Sequence, residues 1–123
     1  MTYINCFISG VPYAKLKSRG DKEAPKRWSR AIKEQTSDLP RVRHACFINV
    51  TFLLPPDKFP TDLPYGPDLD NLLKRFLDDL KETLFANAAG GDSCIVSITA
   101  AKVKVDSPAK SGAHLEIFPI QTT

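Results

Sequence analysis

The stretch GPDLDNLLKRFLDDL, residues 66–80, brings two carboxylates and an ammonium group close together. Asp68 and Asp70 follow a proline, and Lys74 stands four residues after Asp70. In extended chain, side chains two residues apart project to the same side. Carboxylate oxygens are ligands that Mg²⁺ prefers, and a nearby ammonium group can stabilise phosphate charge. The stretch is therefore a candidate site for a metal and a phosphate.

The same acids also have a simpler, structural interpretation. Aspartate is favoured at a helix N-cap, and acids in a first helical turn are stabilised by the helix dipole. Asp70, Lys74 and Asp78 are spaced by four residues, so they can form an exposed row of ion pairs worth about 0.3 kcal/mol each. The local sequence leaves both interpretations open, a helix cap with surface ion pairs or a functional site.

A hard divalent cation calls for a further ligand, and Asp92 is the candidate. It stands in GGDSC, just before a predicted strand, where aspartate beside glycine is also ordinary turn chemistry. The sequence places no histidine suited to act as a general base. A metal that lowers the pKa of bound water would supply the nucleophile instead.

Hydrophobic periodicity predicts the elements that must position these residues. The predicted order is β-α-β-α-β-β, with strands over 3–9, 45–54, 94–105 and 113–120 and helices over 25–38 and 69–86. The proline-rich segment 55–67 cannot be helix interior or central strand, and it delivers the chain to Asp68. The short turn before the last strand allows a hairpin with the strand before it. We expect one α/β (α+β) domain over residues 1–123, with one sheet packed against two helices.

Alternation and helical spacing predict which side chains form the core. In the second strand Cys46, Ile48, Val50, Phe52 and Leu54 share one face, and in the first strand Ile4, Cys6 and Ile8 do. The third strand separates Ala101, Val103 and Val105 from Lys102 and Lys104. In the first helix Trp28, Ile32 and Leu39 can face the core. The second helix carries a buried stripe of Leu69, Leu72, Leu73, Phe76, Leu77, Leu80 and Leu84.

Composition places the chain among ordinary globular proteins. Of its 123 residues, 42% are apolar and 25% are charged. No apolar run approaches the roughly 20 residues of a membrane span, and the N-terminus lacks a signal-peptide pattern, so we expect a cytoplasmic protein with no membrane partner. Three scattered cysteines predict buried reduced thiols, and two histidines are too few for a zinc site.

Charge is distributed unevenly along the chain. Residues 1–45 hold ten Lys or Arg and four acids, whereas residues 46–123 hold seven and ten. A basic first third can bind a polyanionic partner, and it can equally be a solvated basic face.

Taken together, these residues resemble the RusA-like Holliday-junction endodeoxyribonucleases. DLDNLLKRFLDDL resembles the core signature of that family, an Asp-x-Asp-Asn-x-x-Lys-x-x-x-Asp pattern. A second signature is an acid ahead of the following strand with an aliphatic residue three positions on, which Asp92 and Ile95 match. A third follows the first strand, in GVPYAKLKSR. Its matching residues are Gly10, Pro12, Lys15, Lys17 and Arg19.

The resemblance implies a fold and a function. The fold is a homodimer with a mixed sheet, and the function is Mg²⁺-dependent cleavage of four-way DNA junctions in recombination and repair, with Mn²⁺ as the substitute ion. Asp68, Asp70 and Asp92 would bind metal and Lys74 would be the catalytic lysine. No small-molecule cofactor is implied. The DNA-contact candidates are Lys15, Lys17, Arg19, Lys26, Arg27 and Arg30.

Two flanking positions depart from the family pattern and motivate an alternative. Gly66 and Pro67 stand where a basic residue often precedes the first aspartate, and Gly91 stands where a second acid often precedes Asp92. The leading hypothesis is a junction-resolving endonuclease, and the alternative is a junction-binding dimer with weak or no cleavage. A third hypothesis is an unrelated α/β protein whose acids cap a helix.

Overall fold

A computed structural model describes residues 3–14, 22–58 and 66–120. The predicted order of elements is confirmed. The strands are β1 (Ile4–Ser9), β2 (Cys46–Leu54), β3 (Ile95–Lys104) and β4 (Gly112–Pro119). The helices are α1 (Ala24–Thr36) and α2 (Leu69–Leu80), and three short 3-10 turns lie at Pro56–Lys58, Gly91–Cys94 and Pro108–Lys110.

The four strands form one mixed sheet in the order β1-β4-β2-β3. β4 is antiparallel to both β1 and β2, while β2 and β3 are parallel. Consequently β1, β2 and β3 all run in one direction, and their carboxyl ends lie at the same end of the sheet. The expected hairpin of the last two strands is wrong. β4 pairs with β1 and β2 and lies between them, so it is not a neighbour of β3.

Both helices cover one face of the sheet, where the core lies. The predicted inward faces of β1 and β2 are confirmed, and Phe76 of α2 joins the layers. Its ring lies 6.3 Å from that of Trp28 in α1 and 5.5 Å, edge to face, from that of Phe52 in β2. Burial of these three large side chains is a main source of the hydrophobic stabilisation that fixes α2 against the sheet.

α2 ends earlier than the predicted residue 86. The helix stops at Leu80, and residues 81–90 continue as turns. Leu84 and Phe85 are both fully buried, although consecutive residues of a helix point about 100° apart. The backbone N–H of Phe85 bonds Leu80 O at 3.0 Å, a five-residue spacing outside the α-helical pattern, and this bend is what brings both side chains to the core.

Lys102 and Lys104 of β3 lie on the inner face of the sheet, although the Lys104 side chain is exposed. Register pairs Lys102 with Phe52, so Lys102 lies on the inner face, whereas Val103 on the opposite face is 42% exposed. The predicted separation of the two sets is confirmed. The open outer face holds the more apolar of these two sets, although no helix covers that side of the sheet.

Cys6, Cys46 and Cys94 are all free thiols. Cys46 is fully buried in β2, and burial raises its pKa to about 12. The described helices include none with the length and apolar content of a membrane span.

Candidate functional site

The aspartates of the first signature lie where α2 begins. Asp68 occupies the N-cap position, with φ −64° and ψ 133°, and its backbone carbonyl accepts the N–H of Leu72 at 3.0 Å. Its carboxylate makes no capping hydrogen bond to the helix backbone. The carboxylate instead has a long contact of 3.5 Å with the Asn71 amide. The Asp68 backbone thus has the conformation that the cap interpretation predicts. Its carboxylate does not cap the helix and is exposed to a ligand.

Asp70 and Lys74 follow on the exposed side of α2. Both side chains are exposed, and within the described ranges neither forms a hydrogen bond or an ion pair. The expected row of ion pairs through Asp70, Lys74 and Asp78 is therefore absent from this part of the protein. Asp78 pairs with Lys81 instead, at 3.2 Å. Within the described segments, the start of α2 thus presents an Asp70 carboxylate and a Lys74 ammonium group without partners, beside an Asp68 carboxylate whose one contact is the long one with Asn71.

A residue that the sequence did not single out anchors this helix start. The Lys102 ammonium in β3 donates a hydrogen bond of 2.7 Å to the carbonyl of Pro67, immediately before Asp68. Lys102 is half-buried beneath the chain that enters α2. The signal was present in the sequence as a lysine at an inner-face position of a strand, but only the register of β3 with β2 shows which face is inner.

The first signature and the third lie at the same end of the molecule. Both β1 and β2 end there, and the chain after each strand carries one of the two signatures. The Lys58 ammonium lies 4.5 Å above the ring of Tyr13, so the two connecting segments are in contact. Gly10 has φ +144°, and a side chain there would lie 3.1 Å from Trp28, which explains why glycine fits that position. Lys15, Lys17 and Arg19 lie outside the described residues.

The helix that carries the predicted basic residues, α1, lies beside α2. Lys26, Arg27 and Arg30 are exposed, as predicted for the outward side of α1. Along α1, Pro25, Ser29 and Thr36 contact in order Arg75 and Asp79 of α2 and Thr83 just beyond it, so the two helices run in the same direction. The amino-terminal ends of both helices therefore lie toward the carboxyl ends of β1, β2 and β3.

Asp92 lies away from the other two acids. Its carboxylate is 3.9 Å from the ammonium of Lys81, which also contacts Asp78. Asp78 is eight residues beyond Asp70, about 12 Å along the helix. The structure thus brings Asp92 to the carboxyl-terminal end of α2 with Lys81 and Asp78, and it does not bring Asp92 to Asp68 and Asp70.

Two of the three predicted metal-binding aspartates fit Mg²⁺. Asp68 and Asp70 have suitable chemistry, since both are carboxylates not engaged in capping, and Mg²⁺ in proteins commonly takes one or two carboxylates with water and phosphate. The trio with Asp92 does not fit as arranged. Over residues 3–14, 22–58 and 66–120, no three His, Cys, Asp or Glu side chains are grouped closely enough to hold an ion. Asp92 as a third ligand stays a prediction.

In comparisons with known proteins, no family model and no curated sequence matches the chain.

Proposed function

We propose that the protein is a Mg²⁺-dependent, structure-selective DNA endonuclease of the RusA-like kind, which resolves four-way junctions by paired nicking. The observation that carries this proposal is the start of α2, where Asp68, Asp70 and Lys74 are exposed and have no strong partner among the described residues. Ligand sites of open α/β sheets commonly lie outside the carboxyl ends of their parallel strands, and these residues lie at that end. The observed element order and mixed sheet also agree with the family resemblance.

Each residue has a distinct task in this proposal. Asp68 and Asp70 would hold Mg²⁺, which when bound supplies a water of lowered pKa and charge neutralisation at the phosphate. Lys74, one turn further along α2, places its ammonium where it stabilises negative charge on the phosphate oxygens. Lys102 acts indirectly, by holding the Pro67 carbonyl and so the direction in which the chain enters α2.

The basic residues at the same end would position DNA. Lys26, Arg27 and Arg30 present exposed positive charge along α1. Such contacts to phosphates supply affinity and orientation without sequence preference. This property suits an enzyme that selects a branched shape. The third signature, with Lys15, Lys17 and Arg19, would extend the same basic surface.

The open face of the sheet supports a second copy of the chain as the partner. This outer face is formed by the outward residues of all four strands, and Glu116 is its one formally charged side chain in the described segments. Phe7, Phe47 and Val103 on it are exposed by 43%, 47% and 42%. Four strands about 26 Å long cover about 500 Å² per copy, so two copies would bury about 1,000 Å², the lower bound for a specific interface. A two-fold dimer would present two sites to a junction of matching symmetry.

The central experiment is cleavage of a four-way junction with one labelled strand at a time, with and without Mg²⁺. Wild-type protein is expected to nick opposed strands only with Mg²⁺. Asp70→Asn is expected to abolish nicking, and Lys74→Ala to slow it by about 100-fold. Asp106→Asn is the matched control, since Asp106 is an exposed aspartate that pairs with Lys110 at 2.9 Å and is not one of the candidate site residues. Asp70→Asn should change stability by less than about 1 kcal/mol.

A second candidate function is a junction-binding dimer without cleavage. The observation that favours it is the position of Asp92, which pairs with Lys81 rather than joining Asp68 and Asp70. It predicts that the wild-type protein binds the junction equally with and without Mg²⁺ and nicks none of its four strands. That outcome would exclude the enzyme. Nicking that survives in Asp70→Asn at the wild-type rate would instead show that the aspartates of α2 act only in the structure of the helix.

A further inference from the structure

A second basic site lies at the opposite end of the sheet. The segment between α1 and β2 crosses the end where β1 begins and β4 finishes, and it closes a concave pocket there. Ile4, Ile117 and Pro119 form its apolar floor, and Arg41, Arg43 and His44 lie around it. No acidic residue of the described chain lines this pocket.

The two arginines have no partner among the described residues. Arg41 and Arg43 are exposed, and in the portion of the chain that is described, their side chains make no hydrogen bond, ion pair or ring contact. Unpaired arginines are common on surfaces. Here, however, they converge on one pocket, because they alternate around Val42, which is buried in the core. A guanidinium can bind a phosphate through two parallel hydrogen bonds, which a lysine cannot do.

The segment that carries the arginines is held in place. The N–H of Val42 bonds Leu84 O at 2.7 Å, so the segment is tied to the bend that follows α2. The other end of the segment is tied to the end of β4, where the N–H of Ile120 bonds the carbonyl of Ala45 at 3.1 Å. A fixed backbone lowers the ordering cost of binding, because the backbone positions of the two arginines are set before a ligand arrives and only their side chains remain to be ordered.

We propose that Arg41 and Arg43 form a phosphate-binding site for the DNA backbone, separate from the acids at the start of α2. This inference rests on the proposed action on DNA. The ligand is the phosphodiester group. The described lining of the pocket carries positive charge and no acidic side chain, and guanidinium groups match the geometry of the phosphate oxygens.

The distance between the two ends of the sheet suits DNA. β2 has nine residues and spans about 30 Å. One turn of B-form DNA is about 34 Å. A duplex could therefore lie along the molecule. One stretch of its phosphate backbone would contact the α2 end, and the stretch about one turn away would contact the Arg41–Arg43 pocket.

The test is the salt dependence of binding to a labelled 20-base-pair duplex, measured by fluorescence anisotropy in EDTA from 50 to 300 mM KCl. Each of Arg41→Gln and Arg43→Gln is expected to lower the slope of log K against log salt by about 0.9, and to weaken binding about eightfold at 0.1 M salt. Arg43→Lys keeps the charge and is expected to keep the slope. The matched control is Lys110→Gln, which removes an exposed, ion-paired charge in the turn between β3 and β4.

The outcomes separate this site from the proposed nuclease. If both arginine variants match Lys110→Gln while the wild-type protein binds and nicks DNA, the phosphate site is overturned and the nuclease stands. If the arginine variants lose slope but the wild-type protein never nicks a junction, the phosphate site stands and the nuclease fails. If the wild-type protein does not bind DNA at any salt concentration, both are overturned.

Discussion

Asp68 and Lys102 show how two residues far apart in the sequence define one helix start. Asp68 has the extended backbone of an N-cap, yet its carboxylate does not cap the helix. The Lys102 ammonium bonds the preceding carbonyl of Pro67. A cation near a helix N-terminus is unfavourable to the helix dipole, so the hydrogen bond and the neighbouring aspartates must offset that cost.

Replacing Lys102 by methionine keeps most of the side-chain volume and removes the hydrogen bond to Pro67. Since a hydrogen bond from a charged group is worth about 1.5–3 kcal/mol, and this one is only partly buried, we expect a loss of about 1.5 kcal/mol in the free energy of unfolding. Urea titration measures it. The matched variant is Lys104→Met, an exposed lysine two residues along β3, which should lose less than about 0.5 kcal/mol. Equal losses in both variants would contradict the anchoring role of Lys102.

At the scale of elements, α1 and α2 are joined by polar contacts inside their interface. The Ser29 hydroxyl donates to Asp79 at 2.6 Å, and the Thr36 and Thr83 hydroxyls lie 2.7 Å apart in the core. A hydrogen bond to Glu82 raises the pKa of Lys33, whose ammonium also lies 3.9 Å from Asp79. Because hydrogen bonds require particular pairs of side chains, these contacts fix the register of one helix along the other.

Asp79→Ala should therefore destabilise the protein by about 2 kcal/mol, since it leaves the Ser29 hydroxyl without its acceptor and opens space between the helices. The neighbouring Asp78→Ala removes an exposed carboxylate and should cost less than about 0.5 kcal/mol. Thermal unfolding of both variants measures the difference. A gain in stability from Asp79→Ala would show instead that burial of the unpaired Asp79 Oδ2 costs more than the Ser29 contact contributes.

For the whole molecule, the open sheet face decides whether the chain acts alone. Exposed aromatic residues on a face whose described residues carry a single formal charge favour association with a like surface. Charges placed in the middle of such an interface would face each other across the two-fold axis and lose their hydration.

We expect the wild-type protein to sediment as a dimer at micromolar concentration and Phe47→Lys to sediment as a monomer. Analytical ultracentrifugation checks both. Asp106→Asn, which likewise raises the net charge by one but lies in the turn after β3, is the control for net charge and should remain dimeric. A monomeric wild-type protein at 100 μM would contradict the proposed partner. In that case, paired nicking would have to arise from two independent encounters.

The amino-acid sequence by itself determined the order of the elements and most of the inner faces. The alternation in β2 and the leucine and phenylalanine stripe of α2 follow from backbone geometry, which repeats every two residues in a strand and about every 3.6 in a helix. The adjacency of Asp68, Asp70 and Lys74 is local for the same reason. The resemblance to a nuclease family also rests largely on such local spacing.

Only the tertiary structure decided how distant segments meet. The insertion of β4 between β1 and β2, the inward direction of Lys102 and the separation of Asp92 from Asp70 all depend on strand order and register. These are set by the free energy of packing the whole sheet against two helices, and a pattern within one segment carries no record of its neighbours. The sequence thus specified which groups the protein has for chemistry, and long-range packing specified which of them stand together.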